Sequence, residues 1–152
     1  MKRYIALIAL AAALACSCSK YYDGYYDPEY YKSSKEFLTL RNYSSDATVW
    51  FIPAKENSET LPEELSEWQK ISIYEINGQS ACTLTFDSDD SYVTPVDTYG
   101  PGDRMVIYVF KKDVWDQHGW AELVAGKMWS GKTSLSVEEA VKLKKIVTYP
   151  MR

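Results

Sequence analysis

Residues 104–112 read RMVIYVFKK, and both alternating faces of the stretch are apolar: Met105, Ile107 and Val109 on one, Val106, Tyr108 and Phe110 on the other. A strand with one face in water alternates apolar with polar residues, whereas a strand apolar on both faces is one that is covered on both. The stretch therefore predicts a central strand with a layer of structure against each side.

Downstream the period changes. KDVWDQHGWAELVAGKM, residues 112–128, places Trp115, Gly119 and Leu123 at intervals of four beside Trp120 and Val124, which predicts a helix with an apolar stripe weakened by Gly119. LSVEEAVKLKK, residues 135–145, carries the marks of a short helix. Ser136 and Glu139 form a capping box, Leu135 can staple onto Ala140, Glu138 and Glu139 sit in the positive first turn, and lysines 142, 144 and 145 sit near the negative end. KIVTYP then reads as a last strand stopped by Pro150.

Upstream, FLTLRN (37–42) and ATVWFIP (47–53) have strand composition, and the turn chemistry of NYSSD between them predicts a hairpin. KENSETLPEELSEW suggests one or two helical turns from Pro62, which suits a first helical position. KISIYEI and SACTLTF are two further strands, and Asn77-Gly78 between them predicts a hairpin through a primed turn of positive φ. Residues 87–103, acidic and rich in proline and glycine, read as a long loop. About six strands with late helices predict a mainly β domain with some α: an antiparallel β-sandwich-like or α+β domain with a helical insertion before the last strand.

MVIYVFKKDVWDQHGW (105–120) followed by TSLSVEEAVKLKKIVTYP (133–150) resembles the C-terminal half of a group of small exported Bacteroidota lipoproteins with no assigned activity. That group runs strand, short acidic turn, tryptophan helix, Leu-Ser-x-Glu-Glu helix and a final strand ending Tyr-Pro. The chain departs from it at WSGKTS, where a more basic, tyrosine-containing link is usual. The resemblance implies an address and a fold, and it carries over no catalytic residue.

GKMWSGKT, Gly126 to Thr133, satisfies the phosphate-loop pattern, yet the mechanism needs a buried strand delivering the first glycine and a helix opening at the lysine. Here a helix is expected before the glycine and the next one only at Ser136, so the motif reads as a helix-linking loop and no nucleotide site is assigned. His118 is the single histidine, and any Cys-His pair would need Cys82, which shares a face with Leu84 and Phe86 and reads as a buried core residue. DSDDS (87–91) opens like a calcium loop but has Tyr92 where the glycine belongs and Thr98 where the glutamate belongs, so it reads as a solvated acidic loop. No residue pattern selects a catalytic group, a metal or a cofactor.

The N-terminus supplies an address. MKRYIALIALAAALA has a basic start and an uncharged run too short to span a bilayer, the form of a signal peptide. ALACSCSK after it resembles the lipobox of bacterial lipoproteins, in which a peptidase cuts before a cysteine whose sulfur has been diacylated. Both Cys16 and Cys18 are candidates, with Cys18 favoured for the two small residues directly before it. A cut there would leave Cys82 as the only unmodified thiol and exclude an internal disulfide. Multiple acyl chains, palmitate among them, make anchoring stable.

Without Lys2 and Arg3 the basic count falls from 17 to 15 against 21 acids, moving the formal charge from -4 to -6. So acidic a chain is a poor nucleic-acid binder. About 130 mature residues suffice for one domain. The expected division is a signal peptide at 1–17, a tether at 18–35 and a single β-rich domain at 36–152.

The tether holds KYYDGYYDPEYYK, with Tyr21, Tyr22, Tyr25, Tyr26, Tyr30 and Tyr31. Gly24 and Pro28 oppose a helix, and Pro28 with poor alternation opposes a strand. The stretch reads as an irregular spacer whose aromatic rings could pack on headgroups, sugar or a protein partner. The expected function is thus a lipid-anchored envelope protein, at the outer membrane with its face undecided, in a non-enzymatic structural or partner- or glycan-binding role. The runner-up is a small envelope hydrolase.

Overall fold

A computed structural model describes residues 36–85, 94–100, 102–141, 143 and 145–151. Seven strands, β1 (Glu36–Asn42), β2 (Thr48–Phe51), β3 (Ile73–Ile76), β4 (Ala81–Thr85), β5 (Arg104–Lys111), β6 (Gly131–Ser136) and β7 (Ile146–Tyr149), form two sheets. One has the order β4-β1-β7 and the other β3-β2-β5-β6. Every pairing is antiparallel except β1 with β7. Four short helices complete the described fold: α1 (Glu67–Lys70), α2 (Lys112–Gln117), α3 (Trp120–Ala125) and α4 (Val137–Val141).

The architecture follows from β5. It lies inside the four-stranded sheet, with Met105 to Phe110 all buried. Met105, Ile107 and Val109 join Trp50, Ile52, Tyr74 and Ile76 in a core shared with Leu38, Leu40 and Leu84 of the three-stranded sheet and with Val147 and Tyr149 of β7. Val106, Tyr108 and Phe110 join Val49 and Phe51 on the other face, beneath Leu123 of α3 and Leu61. The result is a β-sandwich with a helical layer on the outside of its larger sheet. Val137 and Ala140 of α4 fill the inter-sheet core. Ser136 and Glu139 cap α4 reciprocally: the Ser136 amide donates to Glu139 Oε2 at 2.7 Å and the Glu139 amide to Ser136 Oγ at 3.1 Å.

Neither expected hairpin forms. β1 and β2 lie in different sheets, as do β3 and β4, so both turns carry the chain across the sandwich. The two crossings pack on one another through Asn42, which is fully buried. Its Nδ2 donates to the carbonyls of Asp46 (2.7 Å), Ile76 (3.2 Å) and Asn77 (3.2 Å), while its Oδ1 accepts from the amide and hydroxyl of Ser44. The Gln79 amide donates to the Ser44 carbonyl at 2.9 Å. In the second turn it is Gln79, with φ 58°, that takes the left-handed conformation, and no glycine among the described residues has positive φ. Gly78 is needed for space: a Cβ there would lie 1.9 Å from the Ser45 carbonyl oxygen.

Three further expectations are corrected. WSGKTS is not a loop beyond Ser130, because Gly131–Ser136 is strand β6, paired along β5 from Arg104↔Ser136 to Val109↔Gly131. The tryptophan helix is two helices, broken at His118-Gly119, where Glu122 Oε2 accepts from the Gly119 amide at 3.2 Å and starts α3. Pro62 starts no helix. A 3-10 turn at Lys55–Asn57 precedes it, and α1 begins after Ser66, whose hydroxyl and Gln69 side chain form a capping box. The described part of the loop expected at 87–103 is anchored to the core: Thr94, Val96 and Tyr99 are buried, and the Tyr99 hydroxyl donates to the Pro53 carbonyl at 2.8 Å. Burial drives the Tyr99 pKa upward.

Candidate functional site

The densest side-chain chemistry on the described surface is the aromatic layer outside the four-stranded sheet. Phe51 and Trp120 meet edge to face at 5.4 Å, Phe110 and Trp115 at 5.2 Å, and Tyr108 and Trp129 at 5.2 Å. The Trp120 indole donates to the Pro62 carbonyl at 2.9 Å, and the Tyr108 hydroxyl donates to the Ser58 carbonyl at 2.8 Å. The layer binds α2, α3 and the 58–65 segment to the sheet, so its rings serve mainly as internal packing.

The phosphate-loop lookalike ends in this layer. Gly126 follows α3, Gly131 opens β6, and Lys132 pairs in register with Tyr108. The Lys132 ammonium lies 5.1 Å above the Tyr108 ring and 3.5 Å from Glu59. Extended backbone at Gly131–Thr133 aims no ring of amides at a common point, which is what a phosphate cradle requires. Gly131 is itself packed, since a Cβ there would lie 2.9 Å from the Met151 methyl carbon.

His118 lies at the break between α2 and α3 on that outer layer, with Nδ1 3.4 Å from Glu122 Oε2. Cys82 belongs to the other sheet, opposite Leu40 on strand β4. The two are on different layers of the molecule and form no pair. Cys82 is half-buried against the inter-sheet core rather than fully inside it. The other cysteines, Cys16 and Cys18, lie outside the described residues, as do Tyr21, Tyr22, Tyr25, Tyr26, Tyr30 and Tyr31 and the DSDDS segment.

At the end of the sandwich near α4, Lys55 and Asp103 form an ion pair of 2.8 Å. The Lys55 hydrogen bond, aided by the Gly100 amide at 2.8 Å, holds the Asp103 carboxyl below its ordinary pKa. The Asp103 carbonyl accepts from the Val137 amide at 3.2 Å, so this pair fastens the 94–103 segment to α4. Among the described residues no group of three or more His, Cys, Asp or Glu side chains is placed to hold a metal ion. No helix among them is long and apolar enough to cross a membrane.

No family model, curated protein or solved structure matches the chain.

Proposed function

We infer that the chain is a lipid-anchored protein of the bacterial cell envelope, of the Bacteroidota lipoprotein kind, with a non-enzymatic structural or partner-binding role. The observation that carries the address is the signal-like N-terminus, a basic start followed by an uncharged run too short to span a bilayer. The tandem cysteines directly after the apolar run support anchoring by acylation rather than release.

The non-enzymatic role is supported by how the domain uses its polar groups. Asn42, Gln69 and Ser72, all buried, bond to loop carbonyls or to other turn residues, and Thr48 accepts from the Trp50 indole. They hold the scaffold together. The single histidine and the only described cysteine are on separate layers and form no pair. The tyrosine-rich segment, next to the anchor in sequence, is the surface proposed to meet a glycan or an envelope protein.

The test is metabolic labelling of cells expressing the full chain with an alkyne analogue of palmitate, followed by fractionation. Label on the protein together with recovery in the outer-membrane fraction supports the reading. An unlabelled protein in the soluble fraction would overturn it.

A further inference from the structure

We propose that the outer face of the three-stranded sheet, with the link from α4 into β7 at its edge, docks on an anionic phospholipid surface, so that the domain lies on the bilayer instead of standing off it. The inference rests on the anchoring reading and adds to it the side of the domain that meets the membrane.

The two sheets differ in what covers them. Among the described residues both hydrophobic clusters lie on the four-stranded sheet, one between the sheets and one on its outside, and neither covers the outside of the three-stranded sheet. Leu38, Leu40, Val147 and Tyr149 point into the sandwich, so Thr39, Arg41, Ile146 and Thr148, which alternate with them, face out. Thr39 meets Thr83 of β4 across that face, hydroxyl to hydroxyl at 3.2 Å, and the Arg41 guanidinium lies 5.0 Å above the Tyr43 ring.

Apolar exposure is concentrated on this side. Four large hydrophobic side chains are exposed among the described residues, and three of them, Tyr43 (44%), Leu143 (70%) and Ile146 (56%), belong to this face or to the link at its edge. Scattered exposed apolar residues are ordinary, whereas their gathering on one side of a domain marks a contact surface. Ile146 stands level with Thr39, and the Lys145 carbonyl accepts from the Thr39 amide at 3.1 Å, so link and sheet form one continuous surface.

Charge selects the occupant. On the opposite side of the sandwich, residues 58–67 carry four glutamates and no basic residue, and residues 112–125 carry three acids and one lysine. From Leu38 to Asn42 and through β4 and β7, the three-stranded sheet has no acid and one cation, Arg41. Lys145 is exposed at its edge, and the sequence there, KLKKI over 142–146, sets lysines on both sides of Leu143. Glu139, which precedes the link, has its carboxylate committed to the Ser136 amide. Cations beside exposed aliphatic side chains suit a lipid interface: the cations meet headgroup phosphates while leucine and isoleucine enter the acyl boundary. The acidic side is repelled by the same surface and turns away from it. The acyl anchor keeps the local concentration high, and the patch sets the orientation.

The experiment is hydrogen exchange of the full acylated chain, purified from membranes and reconstituted into vesicles of phosphatidylcholine alone or mixed with phosphatidylglycerol. Peptides covering residues 38–43 and 143–149 should exchange more slowly on the mixed vesicles, those covering 112–125 equally on both, and high salt should abolish the difference. Arg41→Gln and Lys145→Gln should each lower the ratio of docked to undocked domain about fivefold. Leu143→Ser combined with Ile146→Ser should lower it as well. Unchanged exchange across residues 105–110 checks that each variant stays folded, and Lys145→Gln, at an exposed link position, leaves the core untouched. Equal exchange at 143–149 on the two vesicles, or protection at 112–125 instead, would overturn the docking face and leave the anchoring reading standing. Protection that follows protein concentration and not lipid charge would assign the face to a second copy, and protection found only in native membranes would assign it to a protein partner; either result overturns the proposal. A chain without acyl mass that associates with neither vesicle would overturn the anchoring reading and this inference with it.

Discussion

Gly78 and Ser45 are the tightest approach in the domain's crossing turns: a Cβ on Gly78 would sit 1.9 Å from the Ser45 carbonyl oxygen and 2.4 Å from its carbon. Both contacted atoms are backbone, so no side chain can move aside. Gly78→Ala should therefore force the two crossings apart and cost roughly 3 kcal/mol, at the upper end for overpacked sites. Gly119→Ala meets nothing within 4 Å and should cost less than about 1 kcal/mol. Urea midpoints of the two variants check this, and equal losses would show that the turns do not pack as described.

Asn42 is the fastener of the same crossings. Asn42→Ala leaves the carbonyls of Asp46, Ile76 and Asn77 without that donor inside the protein, which should cost about 2–4 kcal/mol given the price of unsatisfied buried groups. Asn42→Asp places a carboxyl against the same three oxygens. Burial and those lone pairs favour its neutral form, raising the folded pKa above the unfolded value of about 3.9. The variant's deficit should be small below that unfolded value and grow as pH rises through it. A deficit independent of pH between acid and neutral conditions would sink this account.

These crossings also mark where sequence reasoning stopped. NYSSD and Asn-Gly specify that the chain reverses, and a reversal within one sheet or across to another uses the same turn residues. What distinguishes them here is the burial of Asn42, which depends on a partner turn about 35 residues away. β5 was legible because its apolar residues occupy both faces. β6 was not, because GKTSLS on an edge strand carries only Leu135 as a large inward apolar residue and turns Lys132 and Ser134 outward. The helix break had a visible signal in Gly119 and Glu122, spaced as a cap and its N3 carboxylate.

Lys132→Ala should leave the fold nearly unchanged. It removes an exposed ion pair with Glu59 and a cation–π contact with Tyr108, together worth about 1 kcal/mol at such a site. Titration calorimetry of the wild type with Mg-ATP should give no heat beyond dilution. Micromolar binding that disappears in the variant would show that Gly126–Thr133 forms a phosphate cradle after all.

Asp103 supplies an acid-sensitive tie. Its folded pKa is depressed by Lys55, so its contribution is fully present above the unfolded value near 3.9 and is lost as pH falls through the folded one. With Lys55 largely exposed, the effect should not exceed about 1 kcal/mol. Asp103→Asn should be less stable than the wild type at pH 7, and the two should converge by about pH 2. A gap that persists unchanged to that acidity would mean the ion pair is not its source.

The central claim, a chain anchored by acylation at its N-terminal cysteines, is tested most directly by the intact mass of the protein extracted from membranes. The account predicts a mature chain that begins at Cys18 or Cys16 and carries diacylglyceryl and N-acyl groups. A mature chain with no acyl mass would contradict it.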